Sequence, residues 1–415
     1  MSEENKLIHE LRFPEFVNGD EWLQTKLEKI GEPMMCKRIL KEQTTTNPKN
    51  GVPFFKIGTF GKDADAYIPF ELYDDFKNKY SFPNKGDILI SASGTIGRLV
   101  VYDGQPAYFQ DSNIIWLGNY ESQVLNSFLF YCYSTIKWQT SDGGVISRLY
   151  NSDLKSIYIA FPKNFREQQK IAACLSSLDE VIAAHSQKLE LLKNHKKALM
   201  QNLFPQDGET VPKWRFKEFE KDGEWVEKKF ELLTDKIGDG IHTTPTYDPT
   251  GEYYFINGNN LIEGRIFVDE KAKRVSLSEY DLHKKNLTEQ TILLSINGTI
   301  GNAAFYNNEK VVLGKSVCYI NPNKKLNSVF LYYYLLSPKI NSYFISELTG
   351  STIKNLSLKS IRETAVNLPS EKEQQKIASC LSPLDALITA ESEKIEQLRV
   401  HKKGLMQGLF PLINH

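Results

Sequence analysis

Hydrophobic residues recur at alternating steps of four and three in two stretches of the chain. This spacing places them on one stripe of an α-helix and is typical of a heptad seam. Each stretch therefore predicts a long amphipathic helix. A single stripe would ordinarily pack against its own domain, but two matching stripes in one chain can bury each other, so we expect the helices to pair. The seam positions are Leu178, Ile182, His185, Leu189, Leu192, Lys196, Leu199 and Leu203, and Leu384, Ile388, Glu391, Ile395, Leu398, Lys402, Leu405 and Leu409.

Both helical stretches carry start signals. Asn164 with Glu167, and Ser370 with Glu373, have the spacing of a capping box, in which the first side chain caps a backbone N–H and the glutamate reaches back. A second start signal follows at 176–179 and at 382–385. In the second of these segments a proline would occupy the first helical position. We therefore expect a short helix, a break and then a long helix in each stretch.

The rest of the chain alternates short β-branched and aromatic runs with Gly, Asn and Pro, as in 51–60, 87–97 and 112–117. Such runs predict strands joined by turns, so the fold class is α+β. A GTIG sequence ends at Gly97 and again at Gly301. We interpret both copies as tight turns between strands, in which glycine supplies a positive φ, rather than as phosphate-binding loops.

Comparison of the chain with itself reveals a duplication. EQQKIAACLSSLDEVI from Glu167 returns as EQQKIASCLSPLDALI from Glu373, and NHKKALMQNLFP from Asn194 returns as VHKKGLMQGLFP from Val400, each 206 positions later. A long period of this kind indicates a repeated structural unit. It divides the chain into two variable blocks, 1–163 and 206–369, and two nearly constant helical blocks, 164–205 and 370–415.

The duplication also predicts how the seams pair. A seam of about 26 residues is roughly 39 Å long, comparable with the ~34–36 Å turn of B-DNA. Two variable domains can approach one DNA face only if the halves are related by a pseudo-twofold axis, so we expect an antiparallel coiled coil. In that arrangement the polar seam residues His185 and Glu391 fall within about one turn of the centre. They would either approach each other and fix the register or tilt into solvent.

Composition narrows the class of protein. The 415 residues predict two or three domains, and 51 Lys and Arg balance 51 Asp and Glu, so a polyanion would have to be bound by local patches. Five cysteines without a C-x-x-C pair favour neither a disulfide framework nor a zinc cluster. No apolar run approaches the ~18 residues of a membrane span. We expect a soluble, cytoplasmic protein that does not contact a membrane.

The paired EQQKIA and HKKxLMQxLFP sequences, the two GTIG turns and GDGIHTTPTY at 238–247 together resemble the specificity subunit of type I restriction-modification systems. The resemblance covers essentially the whole chain. It implies two α/β target recognition domains, each reading half of an asymmetric, bipartite sequence in double-stranded DNA. It also implies that the helices space these domains and dock two methyltransferase subunits, to which restriction subunits are added.

Motifs for catalysis are missing from the sequence. Gly314-Lys315-Ser316 resembles the end of a phosphate-binding loop, but Glu309 stands where that loop requires glycine. No H-E-x-x-H or dinucleotide-binding motif occurs, and no motif marks an amino-methyltransferase. We therefore expect a non-catalytic chain that binds no cofactor or metal of its own. By the resemblance, S-adenosylmethionine, ATP and Mg²⁺ would belong to partner subunits.

Arg and Lys side chains are candidates for contacts to guanine and phosphate, and Asn and Gln for contacts to adenine. Thr and His in the same polar loops are included as candidates. For each residue taken alone an ordinary exposed loop side chain is the simpler interpretation, but the set favours one polar face per domain. The candidates are Lys37, Arg38, Lys56, Gln110, Asn113 and Arg148 in the first domain, and His242, Thr243, Thr244, Asn257, Asn259, Asn260, Lys315 and Lys354 in the second. Candidate docking residues for partner subunits are His195, Lys196, Lys197, His401, Lys402 and Lys403.

One other class of function remains open, and a third is set aside. The chain could be an assembly module whose two domains bind protein or carbohydrate on a coiled-coil frame, which the neutral net charge slightly favours. A self-contained modification enzyme would need a cofactor-binding domain, for which the two blocks leave no room.

Overall fold

The computed structural model describes residues 10–138, 148–350, 354–411 and 413. Contacts divide the chain into two units: unit 1 comprises 1–184 and 394–415, and unit 2 comprises 185–393. The Gly143-Gly144 pair that precedes Arg148 lies outside the described residues. No helix in the described part of the chain is both long and apolar enough to span a membrane.

Unit 1 contains nine strands and three short α-helices among the residues described. The strands are β1 (Leu23–Lys26), β2 (Gly31–Met34), β3 (Val52–Phe55), β4 (Tyr67–Ile68), β5 (Ile88–Ser91), β6 (Leu99–Val101), β7 (Tyr108–Phe109), β8 (Ile114–Asn119) and β9 (Tyr158–Phe161). The helices are α1 (Phe70–Lys79), α2 (Asn126–Thr135) and α3 (Asn151–Ser156).

Two long helices run through both units: α4 is Phe165–Leu203 and α9 is Glu371–Leu409. The other elements of unit 2 repeat the plan of unit 1. Its strands are β10 (Val226–Lys229), β11 (Thr234–Asp239), β12 (Tyr253–Ile256), β13 (Leu261–Ile262), β14 (Arg265–Ile266), β15 (Arg274–Val275), β16 (Ile292–Ser295), β17 (Ala303–Phe305), β18 (Val311–Leu313), β19 (Val317–Pro322) and β20 (Ala365–Leu368). Its shorter helices are α5 (Leu277–His283), α6 (Ser328–Leu335), α7 (Pro338–Ser346) and α8 (Leu358–Glu363).

Each unit is built around a four-stranded antiparallel sheet, in the order β2-β8-β5-β6 in unit 1 and β11-β19-β16-β17 in unit 2. A three-stranded sheet accompanies it, in the order β4-β3-β7 or β15-β12-β18, with one parallel pair in each. In each variable block the first and last strands pair with each other, β1 with β9 and β10 with β20. The predicted α+β class is confirmed in both units.

The central strands are buried on both faces, which explains their uninterrupted apolar sequences. In β5, Ile88 and Ile90 face a cluster formed with helix α2, whereas Leu89 faces the three-stranded sheet. In β16, Ile292 and Leu294 face helix α6, and Leu293 faces the opposite side. Each unit is therefore layered as helices, four-stranded sheet and three-stranded sheet.

The predicted break in each long helix is wrong, because α4 and α9 are continuous over 39 residues each. The hydroxyls of Ser176 and Ser177 donate to carbonyls of the preceding helical turn, so they do not cap a new helix. Pro383 lies inside α9. Buried Leu381 and Ile388 on either side of it keep the helix packed, so tertiary contacts override the local signal for the start of a new helix.

The helix start positions are capped as predicted, but the glutamates do not complete a capping box. Asn164 Oδ1 accepts from the N–H of Arg166, and Ser370 Oγ accepts from the N–H of Glu373. The carboxylates of Glu167 and Glu373 instead bind arginines that precede the strands of their units, as described below. The caps are therefore local, whereas the glutamates serve tertiary structure.

Within each unit the two long helices pack against each other in antiparallel directions, as predicted. In unit 2, His185 contacts Glu391 while Lys196, further along α4, contacts Asp385, which lies earlier in α9. In unit 1, Lys402 of α9 contacts Asp179 of α4. Every predicted seam position is buried or half-buried. The seam is therefore a paired coiled coil with a repeated pattern of contacts.

Candidate nucleic-acid interface

In unit 1 the GTIG turn joins β5 to β6 and gathers several predicted contact residues. Gly94 and Gly97 have φ of 66° and 80°, so the turn uses the positive φ that the sequence predicted. Beside it, Gln110 Oε1 accepts from the N–H of Ile57 at 3.0 Å, which joins the Lys56 loop to the strand preceding β8. Asn113 Oδ1 accepts from Ser93 Oγ at 2.9 Å. The loop around Lys56, the turn and 110–113 therefore form one surface cluster.

Arg148 belongs to the same cluster. Its backbone bridges Ser93, and its Nη2 donates to the carbonyl of Ser112 at 2.7 Å. Trp138 covers the turn so closely that a Cβ added at Gly97 would lie 2.1 Å from the indole. This packing, together with the arginine, fixes the shape of the turn.

Lys37 and Arg38 lie outside this hydrogen-bonded cluster, on the exposed segment after β2. The Lys37 ammonium lies 5.1 Å from the centre of the Tyr80 ring. The backbone carbonyl of Lys37 accepts a hydrogen bond from the Tyr108 hydroxyl. Lys56 is 2.8 Å from Asp65, and both side chains are substantially exposed. These cations are therefore accessible, although Lys56 already has a carboxylate partner that a phosphate would have to displace.

In unit 2 the second GTIG turn joins β16 to β17 and organises a comparable cluster. Gly298 and Gly301 also have positive φ. Ser316 Oγ accepts from the N–H of Gly258 at 2.8 Å and donates to Asn257 Oδ1 at 3.0 Å, which joins the 257–260 loop to the residue after Lys315. The backbone of Asn355 bridges that of Asn297, next to the turn, and so brings Lys354 to the same place.

The loop at 241–244 completes this cluster, because Ile241 bridges Gly314 beside Lys315. His242 Nε2 lies 2.7 Å from Asp239 Oδ2 and remains exposed. The exposed side chains available to a ligand are those of His242, Thr243, Thr244, Asn259, Lys315 and Lys354.

Some amides predicted to read bases are occupied in shaping the loops. Asn260 Oδ1 accepts from the N–H of Asn257, and its Nδ2 donates to the carbonyl of Phe267. The oxygens of Gln110 and Asn113 are likewise bonded within the protein. Asn259 is the exposed member of its loop. The structure therefore separates loop-shaping amides from accessible ones, which the sequence pattern alone does not.

Sequence reasoning missed two cations next to these clusters. In unit 1, Arg98 donates from Nη1 to the carbonyl of Phe60 and lines a small cavity of about 230 Å³ with the turn and Gly58. In unit 2, the Lys273 ammonium lies 4.4 Å from the centre of the half-exposed Tyr247 ring. Arg98 directly follows GTIG in the sequence and could have been noticed, whereas Lys273 is brought to Tyr247 only by strand pairing.

The predicted docking residues lie on the long helices in two environments. His195, Lys197, His401 and Lys403 are exposed. Lys196 and Lys402 are half-buried and form ion pairs with Asp385 and Asp179, each at 2.5 Å. The exposed four are therefore available to a partner, whereas the two seam lysines are occupied within the chain.

Twin buried contacts attach the first residues of each variable block to a long helix. In unit 1, Arg12 binds Glu167 through two hydrogen bonds of 2.7 and 2.8 Å, and the indole of Trp22 donates to the same carboxylate. In unit 2, Arg215, Glu373 and Trp225 repeat this arrangement. Hydrogen bonding to the carboxylate raises the pKa of each arginine. These contacts fix the first residues of each variable block against the start of its long helix.

Comparison with known proteins identifies what this doubled architecture is similar to. The model of the type I restriction modification DNA specificity domain matches residues 19–194 and again 224–400. The chain belongs to this family. It therefore carries two copies of a domain that confers DNA sequence specificity in type I restriction-modification systems, and the alternative of a protein- or carbohydrate-binding module is not favoured.

Individual relatives agree with the family assignment. A Haemophilus influenzae protein named as a type I restriction enzyme specificity subunit is 49% identical over 166 residues, which cover 40% of this chain and 42% of the relative. The MjaX specificity subunit of Methanocaldococcus jannaschii is 26% identical over 94% of this chain and 93% of its own length. The solved S subunit from M. genitalium, 18% identical, shares the fold over 98% of this chain and all of its own, with a TM-score of 0.66.

Proposed function

We propose that this chain reads an asymmetric, bipartite sequence in double-stranded DNA, one half-site per variable domain. The domains would be 1–163 and 206–369, and the helical blocks 164–205 and 370–415 would act as spacers. One observation carries this proposal: each unit collects polar and cationic side chains around its GTIG turn, unit 1 also exposes Lys37 and Arg38 on the segment after β2, and the sets of the two units differ. Lys37, Arg38, Lys56 and Arg148 serve one domain, and Asn259, Lys315 and Lys354 serve the other.

The partners follow from the repeated helices. Because the exposed residues His195 and Lys197 return as His401 and Lys403, the same partner surface can bind twice. We infer two methyltransferase subunits, one per helical block, with restriction subunits joining the assembly in the cytoplasm. The chain itself would supply no catalytic group. S-adenosylmethionine, ATP and Mg²⁺ would be bound by the partners. Among the described residues, no group of His, Cys, Asp or Glu is arranged to hold a metal ion.

The first test is reconstitution. The chain alone should not methylate DNA, whereas the chain mixed with the methyltransferase encoded beside it should methylate adenine at one bipartite sequence, which sequencing of methylated DNA then identifies. Native mass spectrometry should find two methyltransferase subunits per chain. A single methyltransferase per chain would contradict the inference that the two helical blocks present equal sites.

The second test assigns each half-site to a domain. Substitution of Arg38 by alanine should weaken discrimination at one half-site, and substitution of Asn259 should weaken it at the other, by about 1–3 kcal/mol per lost base contact. Methylation rates on oligonucleotides that vary one half-site at a time give the measurement.

Exposed lysines distant from the GTIG clusters, Lys29 in unit 1 and Lys217 in unit 2, are matched controls. A uniform loss over all sequences would reassign the substituted residues to phosphate contacts. If variants in both domains changed discrimination at the same base pairs, the two-reader proposal would be wrong.

A further inference from the structure

The two ion pairs that flank the middle of the seam are copies of each other. In unit 2, Lys196 Nζ lies 2.5 Å from Asp385, whose other oxygen accepts from the Tyr333 hydroxyl at 2.7 Å. In unit 1, Lys402 Nζ lies 2.5 Å from Asp179, which accepts from Tyr131 at 2.9 Å. Lys402 and Asp385 stand 206 positions after Lys196 and Asp179, so each helix carries both halves of the contact.

Such duplicated contacts cannot decide which helix pairs with which. If α4 of one chain met α4 of a second chain in the same antiparallel register, each Lys196 would face an Asp179 instead of Asp385. The same replacement would hold for two copies of α9, with Lys402 facing Asp385. The lysine and tyrosine contacts of Asp179 and Asp385 are therefore compatible with pairing of α4 with α9, of α4 with α4 and of α9 with α9.

The polar contact in the middle of the seam is different. It joins two residues that occupy the same position in the two repeats, but one is basic and the other is acidic. His185 and Glu391 are 206 positions apart and bind each other, and Lys188 Nζ lies 2.9 Å from the second oxygen of Glu391. Glu391 is buried, with 6% of its surface exposed. Two copies of α4 would place His185 against His185 beside two lysines, without the carboxylate that accepts from them here.

Two copies of α9 would place Glu391 against Glu391. Lys394 stands 206 positions after Lys188 and would offer each carboxylate one cation, but the imidazole partner would be lost. Two carboxylates that face each other at a buried position repel, so this pair would be unfavourable even with one lysine at each carboxylate. A polar contact at a single seam position is also a known means of selecting the partner of a coiled-coil helix.

We propose that the contact of His185 and Lys188 with Glu391 selects α9 as the partner of α4 and excludes pairing of either repeat with a second copy of itself. The repeated sequence makes this selection necessary, since nearly identical helices would otherwise exchange between chains. The selection acts on assembly of the chain and does not depend on which DNA sequence is read.

Two full-length variants test the proposal. Glu391→His gives a chain with histidine at both central positions, and His185→Glu gives a chain with glutamate at both. Each variant can form a histidine–glutamate centre only with the other variant. After refolding together, differently labelled chains of the two variants should form mixed dimers at least about tenfold more abundantly than either variant forms dimers with itself. Native mass spectrometry counts the species.

The double variant His185→Glu/Glu391→His restores an opposite pair within one chain and should behave as a monomer with an unfolding midpoint near that of the parent. Glu393→His changes an exposed residue of the same helix and is the matched control. If one single variant fails to fold alone, its recovery on mixing with the other supports the proposal. Mixed dimers no more abundant than those of the parent mixed with itself would overturn it.

Discussion

At the scale of single residues, buried carboxylates at the start of each long helix depend on arginines far away in the sequence. Glu167 has 1% of its side chain exposed and receives Arg12, 155 positions earlier, while Glu373 receives Arg215. The sequence predicted that both glutamates lie at a helix start, but it could not show which cation reaches them. The start of each long helix is therefore coupled by charge to the first residues of a variable block.

Replacement of Arg12 by alanine should destabilise the chain by roughly 3–5 kcal/mol, because it leaves the buried Glu167 carboxylate without a cation. Urea or thermal unfolding of the full chain measures the change. The matched control is Lys170→Ala, which removes an exposed pair with Glu15 and should leave the free energy of unfolding nearly unchanged. Equal effects of the two substitutions would contradict the assignment of Arg12 to a buried ion pair.

Glu391 links stability to pH. Hydrogen bonds from Lys188 and His185 lower the pKa of this carboxyl below its ordinary value. Its contribution is therefore fully present above the unfolded pKa of about 4.3 and is lost as pH falls through the lower folded value. Glu391→Gln should weaken the pH dependence of the unfolding midpoint in that acidic range, whereas Glu393→Gln, at an exposed position, should leave it unchanged. Identical pH profiles for both variants would argue against this linkage.

At the scale of elements, the heptad pattern predicted the two long helices and their pairing, since burial of matching seams leaves few alternatives. Local signals predicted breaks at 176–179 and 382–385 that the folded chain does not have, because packing on both sides of Pro383 outweighs its local preference. The strand runs and GTIG turns were predictable from composition. The two sheet layers were not, since pairing such as β3 with β7 joins residues distant in sequence.

The two GTIG turns differ in what covers them, and this difference gives a prediction. Gly97→Ala should be more destabilising than Gly301→Ala, although both positions have a positive φ that costs alanine about 1–2 kcal/mol. A Cβ at Gly97 would meet the indole of Trp138, whereas at Gly301 the nearest atom is Asn341 Oδ1 at 3.5 Å.

Gly86→Ala, also at positive φ but with nothing within 4 Å, controls for backbone strain in unit 1. Unfolding of the three variants ranks their stabilities. If Gly97→Ala ranked with Gly86→Ala, the contact with Trp138 would carry no weight.

At the scale of the whole molecule, duplication made the architecture accessible from sequence, because a repeat of 206 positions defines two equivalent halves. The candidate interface was only partly accessible. Loops with polar residues were recognisable, but the bonds that make Asn260 a loop-shaping residue and leave Asn259 exposed follow from the folded loop. The net charge of the chain could not reveal the candidate interface either. Exposed cations such as Lys37 and Lys354 are balanced by acidic residues elsewhere on the chain.

Because the chain has no net charge and only local cations, its DNA affinity should depend modestly on salt concentration. Each lysine that contacts a phosphate should contribute its own share of that dependence. If Lys37 and Lys354 each neutralise one phosphate, Lys37→Ala and Lys354→Ala should each reduce the slope of log K against log salt by about 0.9. Because the two residues belong to different units, the double variant should lose about twice as much, since the effects of independent contacts add. The measurement is binding of the reconstituted complex to its own target over a range of salt concentrations, with Lys29→Ala and Lys217→Ala as controls. A slope unchanged by Lys354→Ala, together with lost discrimination at one base pair, would instead make that lysine a reader of a base.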